Sequence, residues 1–203
     1  MNPEFWNARY AAADYAYGRA PNVFFAEWMA DRTPGMLLLP CDGEGRNAVY
    51  AARLGWQVRA ADFSSAGRKK ALTLAAEAGV DIDFVVEDVL TASWPKDHFD
   101  MIALCFAHFP EDERRILHHK CVASLKPGGH LVLEAFSKEQ IGNISGGPRK
   151  EPILYDPADL ADDFSALDIE LLTTADVQLD EGIYHQGLAS VVRLVGKKRL
   201  QKS

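Results

Sequence analysis

The chain has 203 residues, 48% of them hydrophobic and 25% charged, with a formal net charge of −7 and a pI near 5.4. That length suits one domain and is short for two, and the composition is that of an ordinary globular protein. The acidic balance argues against nucleic acid or an anionic membrane as a default partner, and no apolar run approaches the ~20 residues of a membrane span.

The first thirty residues are aromatic-rich, with Phe5, Trp6, Tyr10, Tyr15, Tyr17, Phe24, Phe25 and Trp28. The spacing of Phe24, Phe25 and Trp28 predicts a helix over 21–30 and assigns these three to the core. A strand at 36–39, a helix at 46–54 closed by Gly55, a strand at 57–61 ending on Asp62, and a helix at 65–78 closed by Gly79 follow in order. Further on come strands at 82–86 and 99–106, a helix at 111–125 broken by Lys126-Pro-Gly-Gly129, and a strand at 130–135. This alternation predicts a parallel sheet covered on both faces by helices. Residues 141–156 hold the glycine- and proline-rich loop "GNISGGPRKEP", a candidate lid. A short helix at 157–164 and strands at 169–179 and 188–195 complete the chain, and the short link "DEGIYHQG" makes those strands an antiparallel hairpin at one sheet edge. The basic tail, Lys197, Lys198, Arg199 and Lys202, reads as a solvated, frayed end. His118 and His119 read as exposed on their helix.

The fold class expected is therefore α/β: a Rossmann-like, doubly wound, mostly parallel seven-stranded sheet with a C-terminal antiparallel edge hairpin. Residues 1–203 form one domain, divided into an aromatic N-terminal lid segment (1–35), a ligand-binding core (36–136) and a substrate loop with hairpin (137–203). Cys41, Cys105 and Cys121 are scattered, which argues against a disulfide framework and fits a reducing compartment. The start "MNPEFWNARY" lacks signal-peptide order, so a cytoplasmic location is expected. The histidines lack ligand spacing and no metal is expected. A monomer or homodimer acting on a small molecule is expected.

Three strand ends carry chemistry. In "LLLPCDGEGRNAV" a strand turns through Gly43 and Gly45 into a helix whose free N–H groups face a ligand. Such turns often bind phosphate, yet this one contains Asp42 and Glu44. Asp62 stands 19 residues beyond Gly43 at the end of the next strand, placed either to accept from ribose hydroxyls or to cap the following helix, a duty that Ser64 or Ser65 also fits. Asp88 in "VEDV" lies where an exocyclic purine amine would be met.

Taken in order, "PCDGEGRNAVYAARLGW", "VRAADFS", "VVEDV", "FDMIALCFAHFP" and "LKPGGHLVLEAF" resemble the successive motifs of class I S-adenosylmethionine-dependent methyltransferases. The N-terminal "WNARYAAADYAYGRAPN" and distal "GGPR" and "EGIYHQG" resemble the small bacterial tellurite-resistance and thiol-methyltransferase-like group. The family pattern has an acid where Leu39 stands and a glycine where Cys41 stands, while Asp42 occupies a position usually held by a small residue or cysteine. The resemblance implies methyl transfer from S-adenosylmethionine, with S-adenosylhomocysteine as product, to a thiol, chalcogen oxyanion or similar nucleophile by in-line displacement. It implies a cofactor site of Tyr17, Cys41, Asp42, Gly43, Glu44, Gly45, Asn47, Asp62, Phe63, Asp88, Val89 and Cys105, in which an acidic turn suits a cation. Asp42 or Glu44 would then substitute for the missing amino-group contact.

His108, after the fourth strand, is a candidate base or substrate contact. Arg149 and His185 lie in loops that could meet over the site, Arg149 holding either an anionic substrate or the cofactor carboxylate. Tyr10, Tyr17 and Trp6 either cover the sulfonium or pack the N-terminal segment. Two other readings stand beside this one. "GEGRNA" also satisfies the Gly-x-Gly-x-x-Ala of an NAD-dependent oxidoreductase, against the acidic turn and the edge hairpin. The altered first motif also suits a non-catalytic S-adenosylmethionine or S-adenosylhomocysteine binder.

Overall fold

In the computed structural model, which describes residues 3–200, three consecutive leucines divide their side chains between two cores. They belong to β1 (Met36–Pro40), which pairs in parallel with β2 (Gln57–Asp62) on one side and β4 (Phe99–Cys105) on the other. Leu38 points to one face with Ile102, Leu104, Leu131 and Leu133, whereas Leu37 and Leu39 point to the other with Met101, Ala103 and Val132. Side chains alternate along a strand, so a strand covered on both faces must be apolar throughout. β3 (Asp83–Val86), β5 (Leu125–Phe136), β6 (Leu167–Glu181) and β7 (His185–Lys198) complete a seven-stranded sheet of order β3-β2-β1-β4-β5-β7-β6. β7 is antiparallel to both neighbours.

One face carries α5 (Glu111–Ser124) and α6 (Pro157–Asp163), the other α2 (Val23–Met29), α3 (Arg46–Arg53) and α4 (Ser65–Ala78). α1 (Pro3–Tyr10) packs on α4 rather than on the sheet. Ser64 caps α4 by accepting from Gly67 N at 3.0 Å, and Gly79 closes it with φ 67°. The cap duty at the end of β2 thus falls to Ser64, not to Asp62.

Three sequence expectations are corrected. Lys126-Pro-Gly-Gly129 ends α5, but β5 already begins at Leu125. The extra residues form a bulge, the register passing from Phe99 opposite Leu125 to Met101 opposite His130. The basic tail is not frayed at its start: Lys197 and Lys198 pair within β7, and Lys198 Nζ donates to Asp97 at 2.8 Å. Lys202 lies outside the described residues. His119 is exposed, but His118 is fully buried. With Arg114, Leu117 and Cys121 it occupies the inward stripe of α5, where Asp163 accepts from both Arg114 Nε and His118 Nδ1 at 2.8 Å.

Candidate functional site

The strand order reverses at β1, between β2 and β4, and at such a switch point the loops beyond the carboxyl ends part to leave a crevice. Here it is a cavity of about 870 Å³. Its floor comes from the ends of β1, β2 and β4; its walls come from α1, the 143–153 loop and the β6–β7 turn.

At the end of β1 the chain turns through Cys41 (φ 61°), Gly43 (φ 61°) and Gly45 (φ 85°). Cys41 keeps the left-handed backbone that favours glycine, and its thiol lines the cavity. Gly43 is obligatory on a second ground, because a Cβ there would stand 2.6 Å from Tyr10 Oη. Asp42, Gly43, Glu44 and Asn47 also line the cavity, as do Asp62, Phe63 and Val89. Gly45 and Asp88 do not. Gly45 sits against Ala71 of α4, with no room for a Cβ, and Asp88 accepts from Leu90 N at 2.8 Å to shape its own turn.

The acids of the turn differ in their partners. Glu44 is spent: it pairs with Lys70 Nζ at 2.7 Å and accepts from Ala16 N at 2.8 Å. Asp42 is buried, with Oδ2 accepting from Ala48 N at 3.3 Å and Oδ1 without a hydrogen-bond partner among the described residues. Burial raises its pKa to about 7, outweighing the Ala48 N–H, the Asn47 side chain and the Arg46 charge. Asp62 joins two loops, accepting from Gly43 N at 3.0 Å and Ser64 N at 2.9 Å; burial raises its pKa to about 6 despite those bonds. A carboxylate has about four lone-pair sites, so two acceptor positions remain. Burial and nearby carboxylates hold the Cys41 thiol well above its ordinary value, and burial does the same for Cys105, which also lines the cavity.

His108, Arg149 and His185 all reach the cavity wall. The structure separates the two histidines chemically. His108 Nδ1 donates to Ile153 O at 2.8 Å and Nε2 accepts from Phe136 N at 3.1 Å. Both nitrogens serve the backbone, and burial lowers the pKa to about 4. His185 has only one such tie: Nδ1 to Glu181 Oε2 at 3.2 Å, while Nε2 has no partner among the described residues. Burial alone would raise the Glu181 pKa, but the His185 hydrogen bond and the Arg46 charge bring it below its ordinary value. Glu181 is therefore an anion that keeps the His185 proton on Nδ1 and the lone pair on Nε2. Burial lowers the His185 pKa even against Glu181, so the ring is neutral at pH 7.

Several further cavity residues are not singled out from the sequence. Arg46 pairs with Glu181 at 2.8 Å and donates to the Tyr17 and Ala20 carbonyls, tying α3, the hairpin and the N-terminal segment together. Phe106 (φ 53°) and Phe136 stand with ring centroids 4.7 Å apart, and His185 lies 4.5 Å from Phe106 and from Tyr17. Trp6 stacks on Tyr10 at 5.5 Å, and the Tyr17 ring meets Tyr10 edge-on in the same wall. The position of Arg46 beside the glycine turn was a local signal; its partner 135 residues away was not.

Residues 39–129 match a family model described as a methyltransferase domain. No curated protein matches the sequence. Solved structures share the architecture at low identity. One, described by the conversion of a disulfide bond into a thioacetal group during echinomycin biosynthesis, is 19% identical over 99% of this chain and 93% of that one, with a TM-score of 0.81. TehB from Haemophilus influenzae is 14% identical over 97% and 67%, with a TM-score of 0.73. Magnesium protoporphyrin IX methyltransferase from Synechocystis PCC 6803, with bound S-adenosylhomocysteine, is 16% identical over 86% and 79%, with a TM-score of 0.66. Residues 39–129 thus match a methyltransferase domain, and the chain shares its fold with solved methyltransferases, one of them holding S-adenosylhomocysteine.

Proposed function

We propose that the chain methylates a small organic nucleophile that arrives protonated, with His185 taking the proton. The observation that carries this reading is the Glu181–His185 pair, whose free Nε2 faces the same cavity as the glycine turn. S-adenosylmethionine, when bound, supplies a methyl group made electrophilic by a sulfonium.

The cavity fits that cofactor on the chain's own terms. The unpartnered Oδ1 of buried Asp42 is an acceptor in need of a donor, and a cationic ammonium supplies one. Between the two acids of the turn, Asp42 is the one free to act, since Glu44 already has Lys70. The remaining lone pairs of Asp62 suit ribose hydroxyls. Tyr17 adds an aromatic face of the kind that attracts a sulfonium. Methyl transfer needs alignment more than any covalent help from the protein. His108 contributes by holding the 136 and 153 backbones together, and Arg46 by locking the segments that close over the ligand. His185 Nε2 accepts the proton that the nucleophile must lose.

The turnover test uses S-adenosylmethionine with aromatic and aliphatic thiols, selenite and tellurite, and mass detection of methylated product. Cofactor binding with no product from any acceptor would favour the non-catalytic binder. Binding of NADH without S-adenosylhomocysteine would favour the oxidoreductase. Asp62→Ala is expected to weaken S-adenosylhomocysteine binding by about 1–3 kcal/mol, the worth of lost hydrogen bonds at a buried polar site. Unchanged affinity by calorimetry would remove Asp62 from the ribose position.

A further inference from the structure

We infer that the methyl acceptor is an apolar organic anion, aromatic in at least one part, with its charged group held at the mouth by Arg149 and Lys150. This rests on the reading of the cavity as a methyltransferase site and names its substrate class. It sets aside an inorganic oxyanion.

The first observation is a separation of charge within one cavity. The carboxylates of Asp42, Glu44 and Asp62 all come from the ends of β1 and β2, at the floor. The cations Arg9, Arg149 and Lys150 come from the walls, while Arg46, the cation beside the glycine turn, is already paired with Glu181 at 2.8 Å. The Arg149 and Lys150 side chains make no hydrogen bond or ion pair with any described residue, and the Arg9 side chain donates to Tyr17 Oη at 2.9 Å while lying 3.9 Å from the Tyr184 ring centroid. Glu113 of α5 is the single carboxylate added on the wall side. In a chain of net charge −7, a mouth with three cations and one acid is selective for an anion.

The second observation is apolar. Three separate segments bring exposed hydrophobic side chains to the same rim: Phe5 from α1, Ile144 from the glycine-rich loop, and Ile183 with Tyr184 from the β6–β7 turn. Ile144 is 89% exposed and Ile183 65%, so each gains from being covered. Below them the Phe106, Phe136 and His185 rings pack on one another, with centroids 4.5–5.2 Å apart, into an aromatic wall against which a planar ring can lie. A third point is size. Pockets of about 300–1,000 Å³ hold a drug-sized ligand. A cavity of about 870 Å³ lies toward the upper end of that range, and a four- or five-atom oxyanion beside the cofactor would leave the apolar rim wet.

The loop is built to keep this geometry. A Cβ on Gly147 would lie 2.6 Å from the Phe136 ring, and one on Gly146 would run into Tyr184 and His185. The glycine pair thus lets the loop pack closely against the edge of this aromatic wall, with Arg149 following two residues on. Gln140 fixes the loop from behind, donating to Ser145 Oγ at 2.9 Å and Gly146 O at 3.0 Å and accepting from Ser190 N at 2.8 Å.

The test measures binding of probes to protein saturated with S-adenosylhomocysteine. 2-Naphthoate is expected to bind at least about tenfold more tightly than the isosteric neutral 2-naphthamide, the discrimination expected of a charge-assisted contact. Selenite and tellurite are expected not to compete. In the double variant Arg149→Ala, Lys150→Ala the preference for naphthoate should vanish while S-adenosylhomocysteine affinity stays unchanged. Equal binding of naphthoate and naphthamide, or binding of neither, would overturn the proposal. A fall in S-adenosylhomocysteine affinity in the double variant would also overturn it, because Arg149 would then hold the cofactor carboxylate. Absence of S-adenosylhomocysteine binding to the unmodified chain would instead defeat the parent reading.

Discussion

Replacing His185 with alanine is expected to lower kcat by about 10²–10⁴-fold for a thiol that is protonated at the assay pH, the range for loss of a positioned general base. The cofactor contacts assigned to Asp42 and Asp62 are untouched by this change, so S-adenosylhomocysteine affinity should hold. A large loss in kcat alone does not separate a base from a side chain that merely fills the wall, since His185 packs against Tyr17, Phe106 and Phe136. The separation comes from the acceptor. For a nucleophile already ionised at the assay pH no proton has to leave, and the loss should shrink to a small factor. An equal loss for protonated and pre-ionised acceptors would show that His185 only shapes the pocket. The pH profile supplies a second readout: the lowered pKa of His185 puts the acidic limb of kcat below the usual histidine value, and the alanine variant should lack that limb.

What the sequence discloses about this site is local, and what it hides is long-range. The three leucines of β1 announce a two-faced strand because both faces are apolar within five residues, and the glycine turn and the acid ending β2 are each read from their own short window. Their placement on one cavity floor needs only the parallel order of neighbouring strands. His108 and His185 look alike as residue types in loops after strands. Their difference lies in acceptors and donors that leave no mark on side-chain pattern: Ile153 O and Phe136 N consume both nitrogens of the first, and Glu181 orients the second. His118 shows the converse. It sits on a heptad stripe with Arg114, Leu117 and Cys121, so its inward direction is periodic, but a polar stripe reads as exposed until Asp163 is brought to it.

The unusual first motif also has a physical account in the fold. Two of the non-glycine residues with positive φ, Cys41 and Phe106, line the cavity, at the ends of β1 and β4. Left-handed backbone at such residues carries a strain of about 1–3 kcal/mol each and persists where the surroundings over-determine it. Cys41 preserves the turn that glycine would favour, and places its neighbour Asp42 in the interior with one oxygen unmatched. On the function proposed above, the acid that the family pattern puts where Leu39 stands would be replaced three residues on, by this carboxylate on the turn itself.

That replacement makes Asp42→Asn a prediction with two opposite signs. In the free protein the Asp42 pKa is raised from 3.8 to about 7, so its contribution to stability is full below the unfolded value and is lost as pH rises through about 7. A tenfold change in proton affinity is worth about 1.4 kcal/mol, which makes the charged carboxylate a burden of a few kcal/mol at pH 8. Asparagine carries no such burden. The variant should melt at the same temperature as the parent near pH 3, below the unfolded value of 3.8, and increasingly above it as pH rises to 8, with no ligand present. Ligand binding should move the other way. An ammonium selects the ionised carboxylate, so affinity of the parent for S-adenosylhomocysteine should climb between pH 5 and pH 8, releasing a proton on binding. In the variant the climb through pH 7 disappears, leaving only the step from Asp62 near about 6. At pH 8 the variant should bind more weakly by about 1.5–3 kcal/mol, the value of a hydrogen bond to a charged group. Melting curves and calorimetric titrations across pH measure both halves. Equal pH slopes in parent and variant would place the ammonium elsewhere, and a variant less stable than the parent at pH 8 would mean that Asp42 already has a partner in the free protein.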